Sequence, residues 1–136
     1  MPPQNANNED FVKELSRVHY GSSEAVVKLA RLLPGVRLVV PVDNLPAPGE
    51  RLSVPGFRGE DGRIALTCFS SEMTFKRWGW KKEWGTLPAL AIFETALGEP
   101  FDVLVVDAYG PVPMVLEREV LMTIVNLARS AEGRRD

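Results

Sequence analysis

The chain has 136 residues, 45% apolar and 25% charged, with a formal net charge of −2. That length suits one domain with one core, and the composition excludes a disordered polyelectrolyte. So mild an acidity excludes a whole-molecule pull toward DNA or anionic membranes and leaves room only for a local basic patch.

Residues 1–8 are polar and lack any apolar period, which predicts a flexible lead. They also lack the cationic-then-apolar order of a signal peptide, and the longest apolar runs are far shorter than a membrane span. A cytoplasmic location is therefore expected. From Glu9, the spacing of Phe11, Leu15 and Val18 predicts a short amphipathic helix, ended by Gly21. Ser22 or Ser23 would cap a second helix carrying Val26, Val27, Ala30 and Leu33, stopped by Pro34-Gly35. Residues 36–42 are rich in valine and predict a buried strand, with Pro41 at its edge or end.

Residues 43–62 hold three prolines and four glycines, which predicts a loop with a short strand near 51–54 and a turn at Asp61-Gly62. In the strand expected over 63–69, Ile64, Leu66 and Cys68 share one face, and Ala65, Thr67 and Phe69 share the other. Ser70 or Ser71 would cap a helix through Trp78, with Met73 and Phe75 as core contacts. Gly79 and Gly85 bracket an irregular segment, and Pro88 opens a helix through Ala96. Val103, Leu104, Val105 and Val106 have the signature of a central strand. A turn at 109–113, a short returning strand at 114–116 and a helix over 117–131 complete the pattern, with Val120, Leu121, Ile124, Val125 and Ala128 on its apolar stripe. Residues 9–131 thus form a single domain, and 132–136 form a charged tail.

Three of these segments resemble the SseB N-terminal-domain family. One is the apolar strand running into Cys68-Phe69-Ser70-Ser71, followed by a helix ending near Trp78. The next is Leu87-Pro88-Ala89-Leu90 leading a helix toward the strand Val103-Leu104-Val105-Val106. The last is the turn Asp107-Ala108-Tyr109-Gly110-Pro111-Val112-Pro113. The resemblance implies an α+β domain, a mixed β-sheet of four or five strands with helices packed on it. It implies no catalytic residues. Cys68, Ser70 and Ala108 depart from the commoner family residues, and the segment between Gly79 and Gly85 is unusually rich in tryptophan.

Catalytic constellations are weak. One cysteine and one histidine make neither an internal disulfide nor a Cys/His zinc site. Cys68 lies in an apolar strand, where a thiol behaves as a small hydrophobe, and His19 lies at a helix end. Asp43 and Asp107 follow strands and suit turns. Ser70-Ser71 sits in neither Gly-x-Ser-x-Gly nor Ser-x-x-Lys, and no phosphate-binding glycine loop occurs.

The unusual stretch is 75–84, which holds all three tryptophans and four basic residues. A structural role puts Trp78 in the core and the cations over a solvated face. A functional role uses Trp80 and Trp84 as anchors on a protein partner, steered by Arg77, Lys81 and Lys82. Phe57 and Arg58, in the preceding loop, would add to that surface. The expectation is a non-enzymatic binding or adaptor domain without cofactor or metal, acting on a protein partner or a second copy. The alternative is single-stranded nucleic acid held by the same aromatic-basic segment.

Overall fold

The computed structural model describes residues 4–43, 54–81, 83–108 and 114–133, with side chains from 9 to 130 within those ranges. The elements run α1 (Gln4–His19), α2 (Ser23–Leu32), a 3-10 turn (Leu33–Gly35), β1 (Arg37–Pro41), β2 (Phe57–Arg58) and β3 (Ile64–Cys68). There follow α3 (Glu72–Trp78), β4 (Trp84–Pro88), α4 (Ala89–Ala96), β5 (Val103–Val106), β6 (Met114–Glu117) and α5 (Arg118–Gly133).

Local chemistry explains most boundaries. The Ser22 hydroxyl accepts from the Ala25 N–H at 3.2 Å, which caps α2. Ser71 does the same for α3 through the Thr74 N–H, and Gly79, at φ 87°, ends that helix in the left-handed region. At Gly62, φ is 84°, and its N–H reaches the Gly59 carbonyl at 3.0 Å, forming the expected turn between β2 and β3.

β2, β3, β5 and β6 form one sheet in that spatial order, with β3 and β5 parallel and the other pairs antiparallel. β1 and β4 form a separate antiparallel pair. The two sheets meet where Val39 and Phe69 exchange N–H···O bonds of 2.8 Å in both directions. The α+β expectation holds, with the strands split between two sheets.

Strand alternation divides the larger sheet into two faces. Leu66, Cys68, Leu104, Val106, Met114 and Leu116 are buried on the inner face with Phe11, Leu15, Leu29, Phe93, Leu121 and Ile124. These helix residues fall at the spacing that builds an apolar stripe on α1, α2, α4 and α5. The outer face carries Ala65, Thr67, Phe69, Val103, Val105 and Val115. The short α3 packs there, covering Phe69 with Phe75 and Trp78, and Val39 and Trp80 join the same cluster.

Several elements depart from expectation. α1 begins at Gln4, inside the expected lead, because adding turns to an existing helix is cheap once its buried half is anchored. The expected irregular segment ends early: from Trp84 to Pro88 the chain is β4, because β1 needs a partner along one edge and these residues supply it. Met73, expected in the core, is exposed, since α3 is covered only on the side of Phe75 and Trp78. The expected strand near 51–54 and the turn at 109–113 lie mainly outside the described residues.

Candidate functional site

The part of the outer sheet face that α3 leaves open is a shallow groove of about 580 Å³. Its floor is Ala65 and Thr67 from β3, Val103 and Val105 from β5, and Val115 from β6. All are short side chains. Phe57 and Trp78 also line it. They meet edge to face with ring centres 5.1 Å apart, which joins the edge strand β2 to α3.

Trp78 is fixed from several sides. Trp80 stacks on it at 5.2 Å with planes 8° apart, and Phe69 lies 5.4 Å away in a tilted arrangement. Phe57 also meets Trp80 edge to face, and the Trp80 Nε1–H donates to the Glu83 carbonyl at 2.9 Å. Trp80 is therefore a half-buried brace of the aromatic wall. Trp84 is 37% exposed and packs on Phe75, away from the groove lining.

One end of the groove carries charge. At the Val103 end, the Arg63 guanidinium bonds both Asp61 and Glu117 at 2.7 Å. Asp61 is held below the usual carboxylate range, first by the Arg63 backbone N–H and then by its guanidinium, while Arg63 is pushed up by both carboxylates. These groups are solvent-exposed, so the network contributes little stability. Arg58 donates to the Gly62 carbonyl at 3.0 Å. Glu60 completes this rim.

α3 and the turn after it carry cations outside the groove lining. Lys76, Arg77 and Lys81 are exposed, and none joins an ion pair among the described residues. Lys82 lies outside the described residues. What holds α3 over the sheet is Asp107, which is 5% exposed and adopts φ 56°. Its Oδ1 accepts from the Ser70 N–H at 2.8 Å and the Thr74 hydroxyl at 3.0 Å, and its Oδ2 accepts from the Ser70 hydroxyl at 2.7 Å. Asp107 is thus a turn residue, and a clamp between the end of β5 and the start of α3.

Cys68 and His19 form no catalytic arrangement. Cys68 is fully buried, and burial first, with the Asp107 charge second, pushes its thiol well up. His19 is exposed, and its Nδ1 accepts from the Val115 N–H at 3.4 Å on the outer edge of β6. No hydrogen bond joins the two among the described residues. A thiol reagent added to the native protein should label Cys68 only at the rate of unfolding, because attack needs an accessible thiolate. Rapid labelling of the folded chain would contradict this burial. No cluster of three or more His, Cys, Asp or Glu side chains among the described residues is arranged to hold a metal.

The family model described as the SseB protein N-terminal domain matches residues 12–123. The chain belongs to the SseB N-terminal-domain family. No curated protein and no solved structure matches it. The SseB match spans both sheets, so the groove, its aromatic wall and the Asp107 clamp all lie within the family domain or on its described elements.

The structure thus brings Phe57 and Arg58 to the groove with Trp78, and makes Trp80 a support behind them. Trp84 stands on another side. The floor residues were missed as site residues because alternation reveals a second sheet face but not whether anything covers it. The available signal was small side chains at Ala65 and Thr67 on the face opposite Leu66.

Proposed function

We propose that this SseB-family chain is a non-enzymatic, cytoplasmic protein-binding domain whose contact surface is the groove on the outer sheet face. One observation carries the reading: the groove has an apolar floor and a rigid aromatic wall of Phe57 and Trp78. A preformed apolar surface of this kind, rimmed by charge, has the composition of a protein contact site. Arg77 and Lys81, outside the groove lining, steer the encounter at longer range, and Trp80 holds Trp78 in place.

Protein is favoured over single-stranded nucleic acid by the ring geometry. Bases need free aromatic faces. Trp78 is stacked on Trp80 and packed against Phe69, and the groove rim includes the acidic Glu60 and Asp61.

A photo-crosslinking residue placed at Arg58 or Glu60, on the groove rim, should give one discrete adduct in cells. The same residue at Lys28, on α2, should give none. Mass analysis separates a second copy from a different protein. The reading is lost if adducts arise equally from Lys28, or if the groove positions yield none.

A further inference from the structure

Among the described residues, β4 is paired along one edge only, by β1. The Val42 N–H donates to the Glu83 carbonyl at 3.0 Å, and the Ala89 N–H donates to the Val36 carbonyl at 2.8 Å. Val39, opposite Thr86, turns its own N–H and carbonyl the other way, to Phe69. Backbone groups alternate in direction along a strand. Glu83, Gly85, Leu87 and Ala89 therefore face β1, and Trp84 and Thr86 face outward.

The Trp84 N–H, the Trp84 carbonyl and the Thr86 N–H have no hydrogen-bond partner among the described residues. The Thr86 carbonyl differs. It accepts from the Arg37 guanidinium at 2.9 Å, while the Arg37 Nε–H donates to the Thr86 hydroxyl at 3.3 Å. That side chain guards one end of the edge and leaves the Trp84 end open. On β6 the outward Val115 N–H is met by the His19 ring instead.

Backbone donors and acceptors at strand spacing match one kind of occupant, an extended polypeptide. Neither a lipid headgroup nor a nucleic acid repeats a donor and an acceptor at that spacing. The flanking side chains set what the polypeptide carries. On one face the exposed Trp84 ring lies on Phe75. On the other face, Gly85 has no atom within 4 Å of where a Cβ would stand, and Leu87 beyond it is half-buried. Successive residues of an added strand meet these two apolar surfaces in turn.

We propose that the outer edge of β4 docks a short extended segment of a partner protein as an added strand, with apolar residues opposite Trp84 and Gly85. The segment lies about 4.8 Å from β4 and bonds to Trp84 and Thr86 while Arg37 keeps the Thr86 carbonyl. This contact is separate from the groove and does not rest on it.

The test is selection of a displayed library of short random peptides against the full-length protein. Enriched sequences should be rich in β-branched and aromatic residues and lack proline. N-methylation of alternate amides in an enriched peptide should weaken binding about tenfold or more, and methylation of the intervening amides should change it less than about twofold. Thr86→Pro deletes an outward N–H and no bond to β1, so it should weaken binding by a similar factor, whereas Thr86→Val keeps that N–H and should bind as the parent does. The methylation pattern is read on the unaltered protein, so it decides the matter even where the proline variant does not fold. No enrichment, a methylation scan without alternation, or full binding by folded Thr86→Pro would overturn strand addition at β4. Self-association that Thr86→Pro abolishes would overturn the partner and assign the edge to a second copy. None of these results bears on the groove, which the Arg58 and Glu60 crosslinks read.

Discussion

Phe69→Ala is expected to lower stability by about 3–5 kcal/mol, as loss of a fully buried aromatic ring usually does. The ring has no exposure and contacts Phe75 and Trp78, so its removal opens a cavity between β3 and α3. Neighbours cannot easily fill it. Trp78 is braced by Trp80 and Phe57, and the Phe69 backbone is tied to Val39. Urea unfolding followed by tryptophan fluorescence measures the loss. Phe69→Leu should recover a good part of it, because most of the volume returns. A change below about 1 kcal/mol for the alanine variant would mean that α3 does not pack on this face.

Asp107→Ala is expected to cost about 4 kcal/mol. Three donors reach its carboxylate, and removing it takes the charged acceptor from the Ser70 N–H and hydroxyl in a part-buried site, at about 1–3 kcal/mol, while the Thr74 hydroxyl can turn to the Ser71 carbonyl at 3.0 Å. Backbone conformation adds to this. At φ 56°, alanine suffers a left-handed penalty of roughly 1–2 kcal/mol that aspartate and asparagine tolerate better. The two causes separate by substitution. Asp107→Gly should relieve the backbone part and recover about 1 kcal/mol, while losing the same hydrogen bonds. Asp107→Asn should be mildest, since its oxygen can keep the Ser70 N–H and Thr74 bonds while the Ser70 hydroxyl rotates to accept from the new amide. Equal losses for Ala, Gly and Asn in chemical denaturation would show that neither the left-handed turn nor the acceptor oxygens matter. Because Thr74 lies on α3, alanine at 107 should also loosen Trp78 and weaken any groove ligand.

Local rules reached much of this architecture. Ser71 and Gly79 carry the two ends of α3 in their own side-chain and backbone chemistry, and the β3 alternation separated Leu66 and Cys68 from Ala65 and Thr67. The family resemblance reached the correct class from the strand around Cys68 and the valine run of β5, and the SseB match bears it out. β4 escaped because Gly85 and Pro88 are poor strand formers and only Trp84 and Thr86 favour extension; its conformation comes from β1, far away in the chain. The stacking of Trp80 on Trp78 is likewise tertiary, since nothing in their spacing says which ring covers which. The groove depends on Val105 and Val115 being only half-buried among the described residues, which no local pattern encodes. Composition did locate the aromatic-basic segment, of which Trp78 lines the groove.

The Val39–Phe69 junction has a consequence for how the domain is made. β1 finds one neighbour at Phe69 and the other at β4, and the interior strand β5 comes later still. A nascent chain that has emerged as far as Gly79 contains β1, β3 and α3, yet has none of β4, α4, β5 or α5. Its valine-rich β1 must wait for a partner not yet synthesised. Folding is therefore a late and concerted event, delayed by distant pairings rather than advanced strand by strand. During that interval the emerging chain presents open strand edges, the feature on which both aggregation and chaperone retention act.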